Sequence, residues 1–241
     1  MDQFQAIIND VCELVRRHAH PRRNTIAVSQ EVAALLDAIK TSDTASRLDD
    51  LSKQVAGCTK CELSKGRTQT VFGTGNTRAE LVFVGEGPGA EEDRQGIPFV
   101  GDAGQMLTSI IERGIKVKRE DVYICNVVKC RPPGNRNPKP DEMAACEPYL
   151  FQQLELIRPK VICALGATAA SCLLRLPEAR VGQLRGKWHW YKDIPVRVTY
   201  HPSYLVRQKN EPDKLQDAKA KVWADIRAVI RVLNGEEPPE S

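Results

Sequence analysis

The chain has 241 residues, enough for one α/β domain of ordinary size with an extension or for two small domains, and 41% of them are hydrophobic, which supports a normal core. The formal net charge of +4 is too small for total charge alone to point to nucleic acid. No stretch approaches the roughly 20 apolar residues of a membrane span, and the opening MDQFQAIINDVCELVRRHAH lacks the long apolar core of a secretory signal. The expectation is a cytoplasmic protein whose eight cysteines are thiols or metal ligands rather than disulfides.

Residues 3–18 and 30–40 have helical apolar spacing, with the loop HPRRNT between them, and KTSDTASRLDD (40–50) has the composition of a linker. These predict a helical N-terminal extension over 1–50 and a main domain over 51–234. Four short apolar runs follow: LVFVGE (81–86), VYICNVV (122–128), VICALG (161–166) and VRVTYH (196–201). Near-continuous apolarity suits strands buried on both faces, as in a parallel sheet. Helical stretches lie between and after them: AGQMLTSIIERGI (103–115), the segment 139–159 with Pro140 and acids in its first turn, ATAASCLLRL (167–176), and 213–235 ending at a glycine. GKWHWYKDIPVRVTYH reads as a small hairpin leading into the last strand, and the tail after 234 as disordered. Alternation of strand and helix predicts a three-layer α/β/α sandwich around a central, mainly parallel four-stranded sheet.

Ligands of open α/β sheets sit beyond the carboxyl ends of the strands. The residues that follow the four runs are Gly85–Ala90, Asn126, Gly166 and His201, and one crevice could collect them all. The stretch GEGPGA after the first run matches G-x-G-x-x-A, a dinucleotide fingerprint. It runs into Glu91, Glu92 and Asp93, which would repel a pyrophosphate, and Pro98 and Gly101 then predict a long loop with the next helix starting only near Ala103. The fingerprint reading is therefore disfavoured. Basic residues concentrate in 129–139 (Lys129, Arg131, Arg136, Lys139) and in 185–209 (Arg185, Lys187, Lys192, Arg197, Arg207, Lys209), patches that could meet phosphates or could be solvated surface.

Cys58 and Cys61 form C-x2-C, and Cys130 and Cys146 stand farther along. Four such thiolates could hold zinc or an iron–sulfur cluster, and spacing alone neither chooses between them nor brings the two pairs together. Cys12, Cys125, Cys163 and Cys172 sit in apolar stretches and read as core.

Three motifs in order, GEGPGAEEDRQGIPFVGDAGQML, NVVKCRPPGNRNP with Cys146 downstream, and TYHPSYLVR, resemble the family 4 uracil-DNA glycosylases, the iron–sulfur type of bacteria and archaea. The resemblance covers residues 55 to 232 and is silent on 1–50. It implies a [4Fe-4S] cluster on Cys58, Cys61, Cys130 and Cys146. It also implies hydrolysis of the N-glycosidic bond of deoxyuridine in DNA by a monomer at the nucleoid, with free uracil as product. Phe99 would stack on the flipped base and Asn126 would read its edge. His201 would stabilise charge on uracil O2. Leu205 would be the wedge that fills the gap in the duplex, while Ser203 and Arg207 would meet phosphates. Gly85, Gly87 and Pro88 would bring backbone close to the base. The water-activating Asp of family 1 enzymes corresponds to Gly87 and their thymine-blocking tyrosine to Gly89, so Glu86 and Glu92 become the candidate catalytic carboxylates. A close relative traps the abasic sugar through a histidine in a KRRIH-like loop; no such stretch lies between Gly166 and His201, which favours turnover over a covalently trapping or non-catalytic DNA-binding protein.

Overall fold

The computed structural model describes the backbone of residues 30–239 and the side chains of residues 43–239. The helix expected over 3–18, the HPRRNT loop and Cys12 lie outside the described residues. The chain forms two compact units, residues 1–46 and 47–241.

Residues 40–50, expected as a linker, are helical instead: they belong to α1, Gln30–Ala56. Leu48, Leu51 and Val55 form a narrow buried stripe along its last turns, while the intervening Asp49 and Asp50 each pair with Lys53 on the exposed side. A stripe that narrow leaves the composition polar, which is why it read as a linker.

The sheet has six strands rather than four: β1 (Thr74–Gly75), β2 (Leu81–Gly85), β3 (Tyr123–Asn126), β4 (Val161–Leu165), β5 (Trp188–Tyr191) and β6 (Ile194–Thr199). Their spatial order is β1-β3-β2-β4-β6-β5. The central four, β3-β2-β4-β6, are mutually parallel. Antiparallel β1 and β5 close the two edges. The parallel core is the four runs expected from apolarity; the two extra strands are a two-residue edge and the first arm of the predicted hairpin.

Alternate residues of the buried strands face two cores. Val82, Val84, Ile162, Ala164, Val196 and Val198 belong to one core. Leu81, Phe83, Ile124, Cys163 and Leu165 belong to the other. The first is covered by α1, α4 (Pro140–Ile157) and α5 (Ala167–Leu174), through Leu150, Leu154, Ala169 and Leu173. The second is covered by α3 (Asp102–Ser109, continued by a wider turn over Ile110–Ile115), α7 (Pro202–Arg207) and α8 (Pro212–Leu233), through Leu107, Ile111, Leu205, Ile226 and Val229. This is the three-layer sandwich. The two helices not yet placed are α2 (Ala90–Gln95) and α6 (Val181–Leu184). Helix α4 starts with Pro140 at its first turn, and the Glu142 carboxylate accepts the Lys139 N–H at 2.7 Å. No helix among the described residues is long and apolar enough to cross a membrane.

Candidate active site at the strand switch point

The chain leaves β2 for β3 on one side and later returns to β4 on the other, so the crevice beyond the carboxyl ends of β2 and β4 is a topological switch point. An open cleft of about 550 Å³ lies there. It is lined by Glu86, Gly87, Pro88, Gly89, Glu92 and Phe99 from the segment after β2, by Asn126 from β3, by Leu165 at the end of β4 with Gly166 and Ala167 after it, and by His201, Ser203 and Arg207 after β6. The volume exceeds that of a pyrimidine and leaves room for the attached sugar and phosphates.

Asn126 ends β3 at 1% exposure, and both its amide atoms, Oδ1 and Nδ2, are buried without a hydrogen-bond partner. A buried polar group left unpaired costs on the order of 1–3 kcal/mol, so such a residue needs an explanation. Its Oδ1 lies so close over Gly85 that a Cβ there would stand 2.4 Å away, and 2.5 Å from the Phe99 ring. Gly85 is thus the floor that lets Asn126 and Phe99 meet. The Phe99 ring is 5.5 Å from that of His201, inclined by 33°.

His201 follows β6 and caps α7 with its own ring. Its Nδ1 accepts the Ser203 N–H at 3.1 Å and lies 2.8 Å from Ser203 Oγ. Arg207 Nη1 in turn donates to that Oγ at 3.1 Å. With Nδ1 committed as an acceptor, the proton of the neutral ring sits on Nε2. Burial first, and then the Arg207 charge, push the pKa of His201 down to about 4, with Glu92 opposing. The ring is neutral at physiological pH and offers one N–H.

The two carboxylates differ. Glu92 is buried and uses both oxygens on backbone: Oε2 accepts from Gly89 N at 3.1 Å, and Oε1 from Val100 N and Gly101 N at 2.9 and 3.0 Å. Glu86 is half-buried, and Thr168 Oγ1 of α5 donates to its Oε2. Its Oε1 has no hydrogen-bond partner among the described residues.

The profile described as the Uracil DNA glycosylase superfamily matches residues 72–227. The chain belongs to the uracil-DNA glycosylase superfamily. A Type-4 uracil-DNA glycosylase of Thermotoga maritima is 49% identical over 164 residues, covering 68% of this chain and 85% of that protein. The Type-4 enzyme of Archaeoglobus fulgidus is 47% identical over 166 residues, 66% of this chain and 83% of its own. A Type-5 uracil-DNA glycosylase of Pyrobaculum aerophilum is 32% identical over 146 residues, 54% and 64% of the two chains.

This member of the superfamily brings Cys58, Cys61, Cys130 and Cys146 around one cavity, together with Val55, Lys60, Arg67, Lys129 and Tyr149. Two N–H donors reach sulfur there: Arg67 Nη1 to Cys130 Sγ at 3.0 Å, and Lys129 N to Cys146 Sγ at 3.2 Å. Among the described residues no group of three or more His, Cys, Asp or Glu closes on a point that could hold one metal ion. As free thiols both Cys130 and Cys146 are pushed up by burial, Cys146 to about 11. Cys125, Cys163 and Cys172 are buried, as expected of small core residues.

Several expectations change. The loop GEGPGA does open a helix at once: α2 starts at Ala90 behind Gly89. Its first-turn acids suit the positive end of the helix dipole, and Glu92 folds back to accept the Gly89 N–H, so the acids that read as loop chemistry are helix-start chemistry. Leu205, on the inner face of α7, is 1% exposed and packs in the core, where a projecting apolar side chain was expected. Lys129 is 1% exposed, with Nζ on Asn126 O at 2.8 Å and on Gln153 Oε1, and is no part of a surface patch. Arg197 and Arg185 turn inward to Asp225, and Arg136 grips Glu142 through two bonds, which hold that carboxyl down at about 2. With Lys192 paired to Glu155, five of the ten basic residues of these two segments are internal or paired. His189, the other histidine of that region, sits on β5 with Nε2 2.9 Å from Leu184 O and does not line the cleft. The cleft also takes in Arg136, expected only as part of a basic patch, and Pro132, Asn135 and Asn137, which sequence reasoning did not single out; their place in NVVKCRPPGNRNP, which begins at Asn126, was the available signal.

Proposed function

We infer that the protein hydrolyses the N-glycosidic bond of deoxyuridine in DNA, releasing free uracil and leaving an abasic site, as in base excision repair. The carrying observation is Asn126: a buried amide with an unused donor and an unused acceptor, beside an aromatic ring and a neutral imidazole. A base inside a duplex has to be flipped out to reach such a pocket. There Nδ2–H donates to uracil O4 and Oδ1 accepts from N3–H. Cytosine presents the reverse pattern and would leave both atoms of Asn126 facing like groups. Phe99 takes the face of the ring.

As the N1–C1′ bond breaks, its electron pair passes to the base, and His201 Nε2–H stabilises the charge gathering on O2. The sugar becomes cationic at C1′ and is attacked by water. Glu86 is the carboxylate to orient that water, because one oxygen is anchored by Thr168 and the other is free. Glu92, bound to three backbone N–H groups, is a positioning residue instead. Arg207 and Ser203, which line the same cleft, are the groups to meet backbone phosphates. One chain supplies every residue named, so the enzyme is read as a monomer acting on DNA in the cytoplasm, at the nucleoid.

The four cysteines fit a [4Fe-4S] cluster. They line one cavity, thiolates are the ligands such a cluster takes, and N–H donors to sulfur are a usual feature of such ligation. The cluster would tie the segment before β2 to the loop after β3 and to α4, a structural contribution with no redox step.

The test is cleavage of single- and double-stranded oligonucleotides carrying one uracil, with wild type, His201→Ala and Asn126→Asp. Wild type gives abasic product over many turnovers and no heat-stable adduct; no product would overturn the reading. Cytosine release by Asn126→Asp would mark Asn126 as the reader of the edge.

A further inference from the structure

Phe99 holds an unusual backbone conformation, with φ of +54°, a region that bulky L-residues rarely enter. Something must hold it there. On one side Glu92 Oε1 accepts the next two backbone N–H groups, of Val100 and Gly101. On the other side Arg119, from the short turn Arg119–Asp121 that leads into β3, donates to the two carbonyls of the same bend. Its Nη2 reaches Pro98 O at 2.7 Å and Phe99 O at 2.9 Å, while Nη1 is fixed by Thr108 Oγ1 at 2.8 Å. The bend is gripped by an anion at its amides and a cation at its carbonyls. Helix α3 presses against it as well: a Cβ on Gly104 would lie 2.0 Å from the Phe99 carbonyl. Arg119 itself does not line the cleft.

We propose that Arg119 is a positioning residue for base binding: its guanidinium fixes the Phe99 backbone so that the ring presents its face to the flipped uracil. The proposal rests on the reading of Phe99 as the stacking platform. The guanidinium supplies what a lysine cannot, two donors in one plane on adjacent carbonyls with a third contact to Thr108.

The experiment measures kcat and KM on a uracil-containing single strand, and inhibition by free uracil, for wild type, Arg119→Leu, Arg119→Lys, Phe99→Ala and the double variant Phe99→Ala/Arg119→Leu, with melting temperatures alongside. A ring displaced by a fraction of an ångström weakens both base binding and rate, so Arg119→Leu is expected to lower kcat/KM about tenfold and to weaken free-uracil inhibition by a similar factor. Arg119→Lys recovers only part of that loss. Since both residues act through one ring, the double variant should be no worse than Phe99→Ala alone. A merely structural arginine would instead add its loss to that of Phe99→Ala, and additivity overturns the proposal. So does an Arg119→Leu protein with wild-type kinetics and uracil inhibition. Should Arg119→Leu not fold, the same cycle is run with Arg119→Lys and decides on the same criterion. If Phe99→Ala alone keeps wild-type uracil affinity, the platform reading fails; if only the arginine variants are silent, the platform stands and Arg119 falls.

Discussion

Asp225 and Asn126 are both buried polar residues beside the same sheet, and the fold treats them in opposite ways. Asp225 on α8 is fully buried, and donors surround it: Arg197 Nε and Nη2 at 3.0 and 2.9 Å, Arg185 Nε at 3.1 Å, Thr199 Oγ1 at 3.0 Å and Gly186 N at 3.1 Å. Asn126 has none. A saturated buried cluster is scaffold, because any ligand would have to break a bond to gain one. An unsaturated cluster at a strand switch point is a binding site, because the ligand completes it.

The contrast is broken most directly at Asn126. Replacing it with Leu should lower kcat/KM on uracil by about 10³-fold, while the melting temperature holds or rises, because two orphaned polar atoms are gone. Single-turnover kinetics beside thermal melting check this, and a variant that loses stability in step with activity would place Asn126 with Asp225. His201→Ala is next, with an expected loss of about 10²–10³ in kcat, as for removal of one donor to a developing oxyanion. Because His201 titrates near 4 rather than near its usual value, the wild-type pH–rate profile should be flat from pH 8 to about 5; a histidine limb near 6.5 would contradict the neutral-donor role. Asp225→Ala should do the converse of Asn126→Leu. It strands the buried guanidinium of Arg197 and the partly buried one of Arg185 and is expected to cost about 3–5 kcal/mol in denaturant unfolding, with kcat/KM per folded molecule little changed. The smallest effect belongs to the exposed Arg207: its replacement by Ala should flatten the log–log salt dependence of DNA binding by about one unit, read in a titration over salt.

Much of the frame was legible because parallel strands buried on both faces are written as apolar runs. LVFV, YICN, VICAL and IPVRVT are all strands. Pro140 marked a helix start, and the C-x2-C pair drew attention to the cysteine cavity. What could not be read was set by tertiary contact. β1 is two residues long and exists only because β3 offers an edge. Lys129, Arg185 and Arg197 look like surface charge until the fold turns them inward, and the sequence cannot say which side of a loop a long side chain takes. Leu205 sits four residues after His201, where a wedge was expected, yet that spacing is one helical turn of α7 and carries the side chain into the core. Glu92 resembled Glu86 in every property of sequence, and only the amides of Gly89, Val100 and Gly101 separate them.

His201 has one lone pair doing two jobs. The Nδ1 that sets the catalytic tautomer is also the cap that receives the Ser203 amide and starts α7. A proton on Nδ1 removes both at once. Above pH 6.5 neither the native nor the unfolded histidine is charged. Between 6.5 and about 4 the unfolded chain takes up a proton that the native ring refuses, so stability declines as the pH falls through that window. The opening nearest to that event is the first turn of α7, and amide exchange at Ser203 and Tyr204 should quicken before the sheet loosens. Acid is therefore expected to disable the enzyme first by fraying one helix end, and activity should return on neutralisation as long as the rest of the sandwich holds.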